Sequence, residues 1–395
     1  MVTKLTPSVS YIGCDDIGLD LFENQYRVPE GMSYNSYLID DDKLAVLDTC
    51  DARTGQEWLS NLKTALKGRT PDYLIVHHLE PDHSAMIARV LSDYPEMKIV
   101  ASAIAVRMLP QFFDGVDFSG RTVTVADGDS LELGAHKLQF IMAPMIHWPE
   151  VMMSYDATDG ILFSADAFGK FGALSRTGGL RGVSLQVWRS EARRYYFNIC
   201  GKYGPQVQKL LKRASELEIK LICPLHGPVL DSGSAGALKL YDTWSSYAPE
   251  TEGVLIAYAS IHGGTAQAAE RLAGMLEKAG VKLSLRDLCR CGLSYAVSDA
   301  FRFDRVVLAA SSYDAGLFPP MYDFLHHLQI KNWQKRKVAV IENGSWAPTA
   351  GKVMTDMLSA MKEIELIGDK VTIRSRLHES DIPALEALAE AIRGI

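Results

Sequence analysis

Apolar positions along the chain fall into two textures that change near residue 250. Before that point, short apolar runs are separated by acidic and glycine-containing turns, a pattern of short strands with interspersed helices. Residues 33–38 and 44–48 flank the acidic turn Asp40-Asp41-Asp42 and predict a hairpin. Residues 55–67 carry Trp58, Leu59, Leu62 and Leu66 at helical spacing. Further strands are predicted over 73–77, 98–101, 122–126, 137–142, 151–155, 161–164 and 221–224, with the turns Asp127-Gly128-Asp129 and Asp159-Gly160 separating pairs of them. Two sheets with helices outside account for this half most simply.

From Gly253 the pattern becomes a strict alternation of strand and helix. A strand over 254–260 leads into a helix ending near Ala279, and later strands are predicted over 281–285, 305–310, 337–341 and within 364–374, with a helix over 321–328. Such alternation implies a parallel sheet covered on both faces. The polar, aperiodic stretch 245–252 marks the boundary, so the expected domains are 1–248 and 253–395. No internal repeat or low-complexity tract is visible.

Composition narrows the classes. With 41 Lys+Arg against 48 Asp+Glu the net charge is −7 and no long basic run offsets it, which argues against nucleic acid as a partner. No apolar stretch of about 18 residues suits a membrane span and no apolar leader follows Lys4, so a soluble cytoplasmic protein is expected. The six cysteines are scattered and the closest pair is spaced C-x-C. Reduced, mostly buried thiols are expected, and neither a disulfide framework nor a paired C-x-x-C iron site of rubredoxin type is written here.

The most informative segment is His77-His78-Leu79-Glu80-Pro81-Asp82-His83, directly after an apolar strand. Residues 78, 80 and 82 share one side of an extended chain, and Pro81 keeps Glu80 extended, so an imidazole and two carboxylates converge with His83 just beyond. Four such donors at the mouth of an apolar strand call for metal ions to offset their desolvation. Further donors stand at comparable strand ends: His147, Asp166 and His226. The set of four imidazoles and three carboxylates is hard and anionic, suiting iron or manganese better than a zinc hydrolase site.

The order of these residues resembles the metallo-β-lactamase superfamily and its four-layer αββα fold. Where the common hydrolase form is H-x-H-x-D-H, Glu80 gives H-x-E-x-D-H. That form, with His147, Asp166 and His226, resembles the flavodiiron proteins (A-type flavoproteins), as does the stretch from Pro29 to Ile39. The resemblance implies one iron on His78, Glu80 and His147, a second on Asp82, His83 and His226, and Asp166 bridging. His77 lies outside that pattern and is read as a strand-end residue, a candidate hydrogen-bond donor behind the ligands.

In Ala259-Ser-Ile-His-Gly-Gly-Thr265 a strand runs into a glycine turn and a helix start. The turn amides, the helix N-terminus and the hydroxyls of Ser260 and Thr265 form an anion cradle together with His262, Gly263 and Gly264. Two later strand-end loops, Ser312-Tyr313-Asp314 with Gly316 and Asn343-Gly344-Ser345-Trp346 with Gly351, offer Tyr313 and Trp346 as planar faces for an isoalloxazine. Ligands of open α/β sheets lie at the carboxyl ends of strands near the switch point, where these loops meet. The layout resembles flavodoxin, with sheet order 2-1-3-4-5 and FMN. His262 and Gly264 depart from the usual Thr-Gly-Asn turn, and no G-x-G-x-x-G argues for direct NAD binding.

The family resemblance implies a cytoplasmic oxidoreductase that reduces dioxygen to water, nitric oxide to nitrous oxide, or both. Electrons would pass from a rubredoxin-like donor through FMN to two irons. It further implies a head-to-tail homodimer or dimer of dimers, and places Tyr26 and Tyr195 or Tyr196 near a gas pocket. No separate general base is required, so no catalytic residue is named beyond the ligands. The principal alternative is a zinc-dependent hydrolase of the metallo-β-lactamase superfamily with an accessory flavodoxin-like domain; a second is an electron carrier with a vestigial sandwich. The sequence does not rank the two gases.

Overall fold

Alternating burial along neighbouring strands builds the N-terminal half. The structure, a computed structural model, describes residues 2–231 and 234–394. Tyr37 and Ile39, Ala45 and Leu47, and Leu138 and Phe140 are each two residues apart and point into one shared core with Ile75, Val100, Met152, Ile161 and Phe163. That core lies between two sheets. The first runs Thr3–Lys4, Val9–Tyr11, Tyr37–Asp40, Leu44–Leu47, Tyr73–Val76, Lys98–Ser102, Thr122–Val125; its early strands are antiparallel and its last four parallel. The second runs Ser130–Glu132, Lys137–Met142, Met152–Asp156, Ile161–Phe163, Leu221–Cys223. With the amphipathic helices Gly55–Leu66, Leu185–Ile199 and Gly204–Ala214, the half is an αββα sandwich.

One predicted strand is two. Residues 33–38 divide into Met32–Tyr34, which pairs with Cys14–Asp16, and Tyr37–Asp40, which joins the main sheet and forms the hairpin with Leu44–Leu47. Asn35, wholly buried, makes the break: its side-chain amide donates to the carbonyls of Pro224 and Gly227, 2.8 and 2.7 Å away, instead of lying in a ladder.

The C-terminal half is a doubly wound sheet. Its order is Leu283–Asp287, Thr251–Ala259, Phe303–Tyr313, Arg336–Asn343, and then the short strands Ile364–Leu366 and Val371–Ile373, all parallel. In chain order this is 2-1-3-4-5, the fifth position being split into two pieces. Helices Gly264–Lys278 and Ile382–Arg393 bury Leu272, Leu276, Leu385 and Ile392 against one face. Leu293–Arg302 and Pro319–Ile330 supply Val297, Phe301, Phe324 and Leu328 as further buried side chains.

Chain contacts divide the molecule into units Met1–Asp242 and Thr243–Ile395, a few residues ahead of the boundary expected from polarity. The polar segment belongs with the second unit because Trp244 Nε1 donates to Glu250 (2.8 Å) and the buried Arg336 donates to the Tyr247 carbonyl (2.8 Å). All six cysteines are free. Among the described residues no helix is long and apolar enough to cross a membrane.

Candidate metal and flavin sites

The strand Tyr73–Val76 ends at His77, and the chain stays extended only through Glu80 (φ −56°, ψ 138°). The expected extension to Asp82 is corrected here: Pro81 opens the helical turn Pro81–Ser84, because its fixed φ suits the first helical position. Glu80 therefore projects from the extended segment, while Asp82 and His83 project from the turn. The Thr49 amide and hydroxyl both donate to the His83 carbonyl, at 2.8 and 2.7 Å, and pin that turn.

The seven donors meet in two adjoining groups, His78, Glu80, His147 and Asp166 in one, Asp82, His83 and His226 in the other. His147 Nε2 lies 3.0 Å from Glu80 Oε2 and 3.1 Å from Asp166 Oδ2; His78 Nε2 lies 3.2 and 3.5 Å from the same atoms. In the second group Asp82 Oδ2 is 3.5 Å from His83 Nε2 and 3.3 Å from His226 Nε2. Asp166 joins the groups, its other oxygen, Oδ1, standing 3.2 Å from His83 Nε2 and 3.6 Å from His226 Nε2. Ligand atoms about 2.0–2.2 Å from an ion sit roughly 3.0–3.6 Å from one another, so these are separations of a metal shell.

Hydrogen bonds behind the ring orient two imidazoles. His78 Nδ1 donates to Glu150 Oε1 (2.7 Å), and His226 Nδ1 donates to the Ser33 carbonyl (2.7 Å). Because neither acceptor can donate, the proton is on Nδ1 and Nε2 keeps its lone pair for a metal. The residues also fit a cation by what they lack. Both oxygens of Asp82 and Oδ1 of Asp166 are buried without a hydrogen-bond partner, a costly state for carboxylates unless an ion balances them.

Electrostatics agree. Burial disfavours charge on His147, yet hydrogen bonds to Asp166 and Glu80 outweigh it and push its pKa up to about 9. Burial likewise opposes ionisation of Glu80, but His147 and His78 hold it well below the usual carboxylate range. In the metal-free protein a raised imidazole contributes stability that is complete below its ordinary pKa and lost as pH rises through its folded value. Thermal unfolding of the chelated protein is therefore expected to shift down between about pH 6.5 and 9. The metal-loaded protein, whose ligands carry no such proton, is expected to lack that decline.

His77 does not face the donors. Its ring bonds Asp48 and Ser154 between the sheets. Of the three tyrosines, Tyr195 has its ring 5.5 Å from that of His226 and a buried hydroxyl without a hydrogen-bond partner. Tyr196 packs instead on Phe197 and Tyr241, and the Tyr26 hydroxyl donates to the Asn198 carbonyl. Sequence reasoning missed Glu150; its one signal was an acid directly before an apolar residue, Val151, at the mouth of the strand Met152–Asp156. A cavity of about 420 Å³, lined in part by Leu21, Phe22, Tyr34 and Arg53, opens on Glu80 and Asp82.

In the second unit a cavity of about 520 Å³ lies at the carboxyl ends of the strands. Of the sequence candidates, Ser260, His262, Gly264, Ser312, Tyr313, Asp314, Asn343, Gly344, Ser345 and Trp346 line it. Trp346 is 89% exposed and Tyr313, which packs on Phe318, 45%, so both leave ring surface open at the cavity. The remaining four do not line it. Gly263, with φ +88°, caps the helix, and its amide donates to Ser260 Oγ (3.0 Å). Thr265 is buried, its hydroxyl bonded to Ser311 Oγ (2.8 Å) and Asn343 Nδ2 (3.2 Å). Gly316 closes the strand-end hairpin against Tyr313, and the Gly351 amide donates to Glu342 (2.8 Å). These four shape the loops that the others occupy. Ser375, from the loop after the last strand, lines the cavity and had no signal in the sequence. First-turn amides of Gly264–Lys278 lack intrahelical acceptors, so the cavity's end suits a phosphate.

Comparison with known proteins places the chain. The family model described as ODP family beta lactamase matches residues 32–227. The chain is 25% identical over 394 residues to rubredoxin-oxygen oxidoreductase of Megalodesulfovibrio gigas, covering 99% of this chain and 97% of that one. It is 25% identical over 352 residues to the anaerobic nitric oxide reductase flavorubredoxin of Vibrio vulnificus, covering 88% of this chain and 70% of that one. It is 32% identical over 279 residues, 70% of its length, to a putative diflavin flavoprotein A 2 of Synechocystis, of which it spans about half (47%). Among solved structures, rubredoxin oxygen:oxidoreductase from Desulfovibrio gigas superposes with a TM-score of 0.91 at 24% identity, covering 100% of this chain and 99% of that one. A lactamase-type sandwich with a Glu-containing donor cluster, followed by a flavodoxin-like sheet, runs along nearly the whole length of rubredoxin-oxygen oxidoreductase and its solved counterpart, so the chain is similar from end to end to the flavodiiron proteins.

Proposed function

We propose that the protein is a flavodiiron oxidoreductase that reduces dioxygen to water, nitric oxide to nitrous oxide, or both. The observation that carries this reading is Asp166, whose two oxygens face two separate donor groups. Iron on His78, Glu80, Asp82, His83, His147, Asp166 and His226, with FMN in the cavity of the second unit, would supply the one-electron steps that gas reduction requires. The chain's own residues set the conditions. Glu150 and the Ser33 carbonyl fix the His78 and His226 rings, and three carboxylates balance the charge of a metal pair. Burial, then Asp166, pushes the Tyr195 hydroxyl well above its ordinary pKa, so it keeps its proton at every working pH beside His226.

The named relatives support both gases and a rubredoxin-type donor. We place the protein in the cytoplasm, in line with six unpaired cysteines. We also propose a head-to-tail homodimer or dimer of dimers that brings the flavin of one subunit to the metals of the other. In that arrangement turnover per chain falls on dilution together with the dimer in sedimentation; a fully active monomer at all dilutions would end the idea.

The test of the function is direct. Protein from iron-replete cells is reduced anaerobically by a chemical donor, and consumption of each gas is measured separately. We expect about two irons per chain and rapid consumption of at least one gas. About two zincs, no iron and no consumption would instead favour the hydrolase, a reading that Glu80 and the flavodoxin-like unit do not support.

A further inference from the structure

His77 is 1% exposed and its ring occupies the gap between the two sheets, stacked on Phe163 at 6.5 Å. Nδ1 donates to Asp48 Oδ2 (2.5 Å) and Nε2 meets Ser154 Oγ (2.8 Å). The His77 carbonyl accepts from the Met152 amide (3.1 Å). Asp48 Oδ1 in turn accepts the backbone amides of His77 (2.7 Å) and, more weakly, His78 (3.4 Å). Asp48 and His77 follow strands of the first sheet, whereas Met152 and Ser154 belong to the second. Both ring nitrogens and the main chain on each side are thereby committed to a clasp across the sandwich.

The donors His78 and Glu80 come from the first sheet, while His147 and Asp166 follow strands of the second. This group is therefore assembled across the same gap that the clasp spans. The other group bridges the same gap, Asp82 and His83 following a strand of the first sheet and His226 one of the second, but it is tied by contacts of its own: Thr49 holds the His83 carbonyl and the Ser33 carbonyl holds the His226 ring. Asp48 adopts φ +54°, a left-handed conformation that its own three accepted hydrogen bonds keep in place.

We propose that Asp48, His77 and Ser154 are positioning residues for one metal position alone, that of His78, Glu80 and His147, by setting the spacing of the two sheets where those donors meet. The inference rests on the diiron reading. Its consequence is that the two metal positions of one centre are held by independent supports and respond separately to mutation.

The experiment uses full-length holoprotein carrying His77→Phe, which keeps ring volume and stacking but loses both ring hydrogen bonds, and Ser154→Ala, which removes one of them. Iron per chain, the Mössbauer spectrum and the thermal midpoint are measured for each. Loss of supporting hydrogen bonds behind a ligand typically weakens a metal site on the order of 10- to 100-fold. We expect iron to fall from two toward one per chain, with one Mössbauer environment lost or altered and the other unchanged. Ser154→Ala should act in the same direction and less strongly, so it decides the matter if His77→Phe does not fold. Equal loss of both environments, or full iron with only a lowered midpoint, would make the clasp an ordinary element of the core and overturn the proposal. A wild-type protein that binds no iron would refute the diiron reading instead, a distinguishable result.

Discussion

Asp166→Ala is expected to lower gas consumption by the chemically reduced protein by about 100-fold or more and to cut its iron content, while FMN content stays unchanged. The wholly buried Asp166 carboxylate stands among four imidazoles, with Oδ2 3.1 Å from His147 Nε2 and Oδ1 3.2 Å from His83 Nε2. Of the cluster's three carboxylates it alone reaches both groups; Glu80 serves the first and Asp82 the second. Removing it takes one buried negative charge from the cluster and a ligand from each ion position together, which no neighbour can replace. Metal analysis and gas-electrode traces of the same preparation check this. Two irons with undiminished consumption would show that the bridging geometry is incidental.

The second large effect is expected at Gly264. A Cβ there would lie 2.0 Å from the Ser375 carbonyl oxygen and 3.2 Å from Arg376 Cα, both backbone atoms. Ser375 cannot retreat easily, because its amide donates to Asn343 Oδ1 and its carbonyl accepts from Asn343 Nδ2, each at 3.0 Å. Gly264→Ala must therefore displace the helix start or the Ser375 loop, at a cost of about 1–3 kcal/mol. Both structures border the end of the cavity that suits a phosphate, so we expect FMN affinity to weaken about 10- to 100-fold, since each ~1.4 kcal/mol is tenfold. Fluorescence titration of flavin-stripped protein measures this directly. Gly263→Ala is the control: no atom lies within 4 Å of its Cβ position, and its penalty comes from φ +88° alone. Equal FMN affinity for wild type and Gly264→Ala would remove the loop contact from the account.

Much of the proposed metal centre was legible because its candidate donors are local exceptions to local rules. An acid or imidazole at the end of an apolar strand is costly wherever the strand packs, so residues 78, 80, 82 and 83 stand out as one segment, whereas 147, 166 and 226 are ordinary strand-end residues one by one and signal a site only as a set. The flavin unit was legible from strict alternation, which admits few sheet orders. His77 shows the limit. It carries the same chemistry as His78, one position away, yet its ring goes to Asp48 and Ser154, the latter 77 residues later in the chain. Successive side chains of an extended segment point to opposite sides, but which side holds the metal depends on the partner sheet. Glu150 and Ser375 escaped for a related reason: one becomes a partner of His78 and the other a wall of the cavity only through contacts with distant loops.

Pattern and residue type alone determined that the chain has a sandwich half and a doubly wound half, and which side chains could bind metal. These properties follow from burial and desolvation, which act on each segment by itself. The division of the donors into two groups joined by Asp166 came from the family resemblance rather than from pattern, and only the tertiary structure decided the separations within them, the helical turn at Pro81–Ser84, the loops that line the cavity, and the clasp of His77. Each of those depends on hydrogen bonds and ångström-scale separations between segments far apart in the chain, and no single segment carries that information.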